Sequence, residues 1–106
     1  MNNLLIIKLT GEKPKNKQEI IERASSGWKI SPKRLNDVKY VVVLYQQIVI
    51  ATYQLGKMLT YNKNIAKVTK LDLTETKDLD IVGQGVSYPT SNPATISSLD
   101  NLFKNK

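Results

Sequence analysis

Two runs of β-branched and aromatic residues, Tyr40-Val-Val-Val-Leu-Tyr45 and Ile48-Val-Ile-Ala-Thr-Tyr-Gln-Leu55, are separated only by Gln46-Gln47. Residues of this kind suit a pleated, packed surface, and a two-residue interruption between two such runs reads as a β-hairpin. Gln-Gln is a poor turn pair beside Asn-Gly, so the strands rather than the turn carry the signal. Their near-continuous apolarity places both strands centrally in a sheet.

The flanking sequence supplies the rest of a small domain. Leu4 to Leu9 is a short apolar run ending at Thr10-Gly11, as expected of a buried strand followed by a turn. Asn16 with Glu19 three residues later is a capping-box pattern, and Ile20, Ile21 and Ala24 then share one helical face. This helix is expected from about Lys17 to Ser25, stopping at Gly27. Ser31-Pro32 predicts a single helical turn over residues 32 to 36 that displays Lys33 and Arg34. Gly56 to Asn64 reads as a loop or irregular edge, and Ile65 to Leu73 as a half-buried strand. A short helix is expected over Lys77 to Val82, a loop over Ser87 to Pro93, and a last helical turn capped by Ser97 and Asp100. The sum is an α+β domain: a small open β-barrel or curled mixed sheet with one main helix across it.

At 106 residues the chain has room for one core, so residues 1–106 are expected to form a single domain. It contains no Cys and no His, which removes disulfides, thiolate nucleophiles, imidazole catalysis and every ordinary zinc, copper or haem site. The expectation is a non-enzyme with no cofactor and no metal. No apolar stretch approaches the roughly 20 residues of a membrane span. The Leu4 to Ile7 run is too short for a signal peptide, so the expected compartment is the cytoplasm, without membrane association.

Charge is distributed unevenly. Residues 1 to 70 hold 13 basic and 4 acidic groups, whereas residues 71 to 106 hold 3 and 5. Between Lys29 and Lys70 the only acid is Asp37. A basic patch attracts polyanions through counterion release, which makes nucleic acid the first partner to consider; an acidic protein is the second. Of the 16 basic residues 14 are Lys, a flexible point charge that neutralises phosphate better than it reads bases.

The densest feature is Trp28-Lys-Ile-Ser-Pro-x-Arg34, followed by the strands ending at Tyr45 and Tyr53. With this order of a helix, a Trp, a turn carrying Arg, and two hairpin strands, the chain resembles the PUA-like superfamily of open β-barrels, which includes the ASCH and EVE domains. Gly83-x-Gly85 and Asn92-Pro93 resemble the closing segment of such proteins, so the likeness spans roughly residues 4 to 96 in order of elements. The sequence departs from the pattern at Ser25-Ser26-Gly27, where a basic residue and Gly are usual before the Trp, and at Gln46-Gln47, where a Gly turn is usual. The resemblance implies binding of RNA or DNA, or of a modified base, without catalysis. It carries the contact role to Trp28 and Arg34 with Lys29 and Lys33 beside them, since an aromatic face among cations suits stacking and phosphate neutralisation. Tyr45 and Tyr53 are further candidates for a groove. Each has a plainer reading: Trp28 as a core anchor, Arg34 as the partner of Asp37, and the tyrosines as core or cross-strand residues.

Two other functions fit the same chain. A small viral or accessory protein could use its basic face to bind and inhibit a host protein. Asp72, Glu75 and Lys77 form a D-x-x-E-x-K string reminiscent of Mg²⁺-dependent nucleases, although a solvated strand explains these charges more simply.

Overall fold

The computed structural model describes residues 3–25, 32–35, 37–56, 60–64, 67–88 and 94–103. Its centre is a five-stranded mixed sheet in which β1 (Asn3–Leu9) lies parallel to β2 (Val38–Tyr45). β3 (Ile48–Leu55) pairs antiparallel with β2 and with the short edge strand β6 (Leu73–Glu75). At the other edge, β7 (Ala94–Ser98) runs antiparallel to β1. The order across the sheet is therefore β6-β3-β2-β1-β7, an α+β arrangement with the predicted hairpin inside it.

Both faces of the sheet are covered, which explains why the central strands are apolar throughout rather than alternating. Leu5, Ile7, Val41, Val43 and Tyr53 point to one face and pack with Ala24 of α1 (Lys17–Ala24), Leu35 and Leu71. Leu4, Ile6, Tyr40, Val42, Leu44 and Val49 point to the other, where Ile81, Val86 and Leu102 cover them. A parallel β1–β2 pair needs a long crossover, and residues 10–37 with α1 provide it.

Local chemistry accounts for the element ends. The Asn16 side chain accepts from the backbone N–H of Glu19 at 2.9 Å, closing the N-terminus of α1 as expected, and Ser25 is its C-cap. Gly27 lies outside the described residues. Pro32–Leu35 forms a single 3₁₀ turn. Gln46 and Gln47 both take positive φ, 51° and 63°, the conformation a two-residue hairpin turn demands. Gln47 is held there from outside, because its carbonyl accepts from Val86 N–H and its side-chain oxygen from Tyr88 N–H.

Several expectations are corrected. The helix expected over Lys77 to Val82 does not form; the segment is irregular, with Leu79 and Ile81 turned into the second core and Asp80 at φ 49°. The single strand expected over Ile65 to Leu73 is two, β5 (Lys67–Lys70) and β6, broken because Leu71 turns into the first core and donates to the Ser25 carbonyl at 2.7 Å. The loop expected over Gly56 to Asn64 contains β4 (Thr60–Asn62), which pairs with β5 as a separate two-stranded sheet. Ser98, not Ser97, caps the last helix α2 (Leu99–Leu102), accepting from Asn101 N–H; Ser97 is the fourth residue of β7. None of the described helices is long and apolar enough to cross a membrane.

Candidate functional site

Register places the start of β2, which follows the basic turn, and the end of β3, which precedes the Lys-containing β4–β5 segment, at one end of the sheet. Tyr40 pairs with Gln54, so the start of β2 lies beside the end of β3. The 3₁₀ turn before β2 is anchored by Leu35, buried in the first core, which leaves Lys33 and Arg34 exposed. Asn3 pairs with Val38 and Leu4 with Tyr40, which makes Lys39 the extra residue of a bulge. Its ammonium sits 5.4 Å from the centroid of the Tyr40 ring, while the Tyr40 hydroxyl donates to Asp78 at 3.0 Å. Among the described residues Arg34 and Asp37 form no ion pair.

At the same end of the sheet β3 and β6 are joined through the segment that contains β4 and β5. Leu55 pairs with Leu73, and the Gly56 N–H donates to the Asp72 carbonyl at 2.8 Å. Between Gly56 and Asp72 lie β4 and β5, in which Tyr61 pairs with Val68 and Asn62 with Lys67 in register. Lys63 in their connecting turn and Lys70 at the end of β5 are exposed. Sequence reasoning treated this stretch as an irregular edge and a strand; its run of lysines without an acid was the available signal.

The remaining predicted residues lie elsewhere. Trp28 and Lys29 fall outside the described residues. Tyr45 is at the far end of β2, seven residues or roughly 23 Å along the strand from Val38. Its hydroxyl donates to the Gly11 carbonyl at 2.6 Å, and Arg23 donates to the carbonyls of Thr10 at 2.5 Å and Glu12 at 2.7 Å. Three consecutive carbonyls of the β1–α1 loop are thus satisfied by side chains, and Tyr45 is engaged in holding that loop. Tyr53 is 2% exposed and belongs to the first core. Burial raises its phenol above the ordinary tyrosine value, and the Glu75 carboxylate opposite it on β6 adds to the rise. Among the described residues its hydroxyl has no hydrogen-bond partner.

Tyr53 also forms part of the wall of a cavity of about 440 Å³ that sequence reasoning did not find. Thr76 N–H donates to the Thr52 carbonyl and Gly83 N–H to the Val49 carbonyl. Between these two bonds residues 77–82 swing away from the edge of β3 and leave the hollow. Ile20, Ile50, Ala51 and Val82 give it apolar walls; Lys17, Glu75, Lys77 and Asp80 contribute two charges of each sign. The Lys17 ammonium lies 3.4 Å from Glu75, both well exposed. A hollow of this size, largely apolar with a few polar groups, is within the range of small-molecule sites.

The D-x-x-E-x-K residues are dispersed: Asp72 packs against Gly56, while Glu75 and Lys77 line the cavity. Among the described residues no three His, Cys, Asp or Glu side chains gather as a metal centre would need. Compared with protein-family models, curated proteins and solved structures, the chain matches none.

Proposed function

We propose that the chain is a non-catalytic nucleic-acid-binding module of PUA-like type. The observation that carries the reading is the exposure of Lys33, Arg34 and Lys39 around the start of β2, with Lys63 and Lys70 also exposed on the segment that joins the end of β3 to β6. Exposed cations from two separate stretches of sequence suit the neutralisation of phosphates, and their Lys content favours backbone attraction over base reading. The order of elements supports the open-barrel reading: a helix crossing from β1, a basic turn, a hairpin, and a closing strand that returns to β1. The cavity beside β3 is large enough for a single base and suits the modified-base variant of the same function.

The test is a gel shift with labelled single- and double-stranded RNA and DNA at physiological salt. Binding is expected with the native chain and is expected to be lost when Lys33 and Arg34 are both replaced by Glu, with an unchanged thermal melt. Absence of a shift with every probe overturns the reading and leaves an acidic protein as the partner of the basic surface. Unchanged affinity in the double variant moves the contact away from the 3₁₀ turn.

A further inference from the structure

The wall of the cavity beside β3 is graded from dry to wet. Its floor is formed by Thr52 and Tyr53, 3% and 2% exposed, its sides by the half-buried Ile20, Ile50 and Ala51, and its rim by exposed charged residues. The Thr52 hydroxyl donates to the Thr76 carbonyl at 2.9 Å and is satisfied. The Tyr53 hydroxyl has no hydrogen-bond partner among the described residues, although the residue is almost wholly buried. No sealed side-chain nitrogen or oxygen among those residues lacks a partner, so this hydroxyl is not shut inside the core; it reaches the space that Tyr53 helps to enclose. A buried phenol normally finds a partner, and the cavity is where one can be supplied. At the rim the Lys17 ammonium and the Glu75 carboxylate stand 3.4 Å apart, and Lys77 and Asp80 repeat the two signs, so the four rim charges cancel.

We infer that the cavity takes a free aromatic amino acid with a polar tip, tyrosine or tryptophan. Its side chain lies against Ile20, Ile50 and Ala51, its tip bonds the Tyr53 hydroxyl, and its charged groups meet Lys17 and Glu75 at the rim. An apolar interior holding one unpaired hydroxyl calls for an apolar body that ends in a hydrogen-bonding group, and the tyrosine and tryptophan side chains have that form. Neighbouring rim charges of opposite sign call for a ligand whose own cation and anion are equally close. An α-amino acid carries both on one carbon, so its carboxylate faces Lys17 while its ammonium faces Glu75. A ligand of a single sign gains one of these contacts and meets a like charge beside it. A nucleobase fills the same volume of about 440 Å³ but leaves the charged rim without a role. Exposed ion pairs contribute little, so the apolar body and the Tyr53 bond carry the affinity and the rim sets selectivity. The site uses none of Lys33, Arg34 and Lys39, and the inference goes beyond the nucleic-acid reading without resting on it.

The experiment titrates the full chain with L-tyrosine and L-tryptophan, read by calorimetry and by backbone amide chemical shifts. The comparison ligands are L-phenylalanine, which lacks the polar tip, tyramine, which lacks the carboxylate, hydroxyphenylpropionate, which lacks the ammonium, and adenosine. Tyrosine or tryptophan should bind, with the largest shifts at Thr52, Tyr53 and Thr76. Phenylalanine should bind about tenfold more weakly than tyrosine, because it leaves the Tyr53 hydroxyl unpaired. Tyramine and hydroxyphenylpropionate should each bind about two- to fivefold more weakly than tyrosine, the weight of one exposed ion pair. Tyr53→Phe should erase the preference for tyrosine over phenylalanine while keeping the affinity for phenylalanine, an outcome that a loosened core does not produce. Lys17→Gln should erase the preference over tyramine, and Glu75→Gln the preference over hydroxyphenylpropionate; both residues are exposed, so both variants keep the fold. No binding of either amino acid by the folded chain overturns the inference, and so does a preference for tyrosine over phenylalanine that survives Tyr53→Phe. Tighter binding of adenosine than of tyrosine also overturns it and returns the cavity to a base. Because the nucleic-acid reading is tested by gel shift, either can fail without the other.

Discussion

Gly56 and Asp72 are locked together twice: the Gly56 N–H donates to the Asp72 carbonyl at 2.8 Å, and the Asp72 carboxylate fills the space that a Cβ on residue 56 would occupy. Gly56→Ala therefore forces either the Asp72 side chain or the backbone aside, an overpacking expected to cost about 1–3 kcal/mol. Asp72→Ala in the same chain should recover part of that loss. A thermal-melt double-mutant cycle measures the coupling, and strictly additive effects would show that the two residues do not compete for space.

Tyr45 and Arg23 are predicted to act on stability and not on nucleic-acid affinity. Tyr45→Phe removes one neutral hydrogen bond to Gly11, a loss of about 0.5–1.5 kcal/mol; Arg23→Ala removes charge-assisted bonds to both Thr10 and Glu12 and should cost more, about 1.5–3 kcal/mol. Denaturant titration ranks the two variants, and gel shifts with each should match the native chain. Weaker binding by a fully folded Tyr45→Phe would return that hydroxyl to the contact surface.

Tyr53 links stability to alkaline pH. Its phenol is raised in the folded chain by burial and by Glu75, so the folded state holds the proton more tightly than the unfolded state does. The resulting stability is fully present below the unfolded value of about 10 and is lost as pH climbs from there through the folded value. Tyr53→Phe should abolish this part of the alkaline decline, and Glu75→Gln should reduce it. Phenolate absorbance of the native chain minus that of Tyr53→Phe isolates the titration of Tyr53.

The turn at Gln46 is open to improvement. Left-handed φ costs a residue with a side chain about 1–2 kcal/mol, and Asn tolerates it better than Gln. Gln46→Asn should stabilise the chain by about 0.5 kcal/mol and raise the melting temperature by a few degrees. Gln47→Gly gains the same relief but gives up the side-chain bond from Tyr88 N–H, so its net effect should be smaller.

The hairpin, the first strand, the Asn16 cap and the basic turn were all legible because each rests on local chemistry: β-branched runs, a capping side chain, a Pro at a first turn. The remainder depended on partners distant in sequence. Lys77 to Val82 reads as a short helix, yet hydrogen bonds from Thr76 and Gly83 to β3 pin the segment on both sides, and Leu79 and Ile81 between them turn into the second core. β7 has only five residues and no charge pattern, and becomes a strand because β1 offers a free edge. At the candidate site, Lys33 and Arg34 were visible in the sequence, but that β2 begins beside the end of β3 needed the Tyr40–Gln54 register. The cavity was invisible because it arises where a chain segment leaves an edge, and no residue type marks such a departure.

A sheet with two buried faces has an unusual relation to its own misfolded states. Where one face meets water, a one-residue slip in strand pairing exposes every apolar side chain, and hydration alone rejects the error. Here a slip of β1 against β2 exchanges Leu5 and Ile7 for Leu4 and Ile6, trading one dry environment for another. Solvent therefore proofreads this sheet weakly. Discrimination falls to features that cannot be shifted by one residue: the two-glutamine turn, the bulge at Lys39, and the Tyr40 and Tyr53 side chains, too large to exchange places with their small neighbours. The chain selects its native alignment by shape at a few fixed points, and variants at those points should yield compact but misaligned species before they yield unfolded ones.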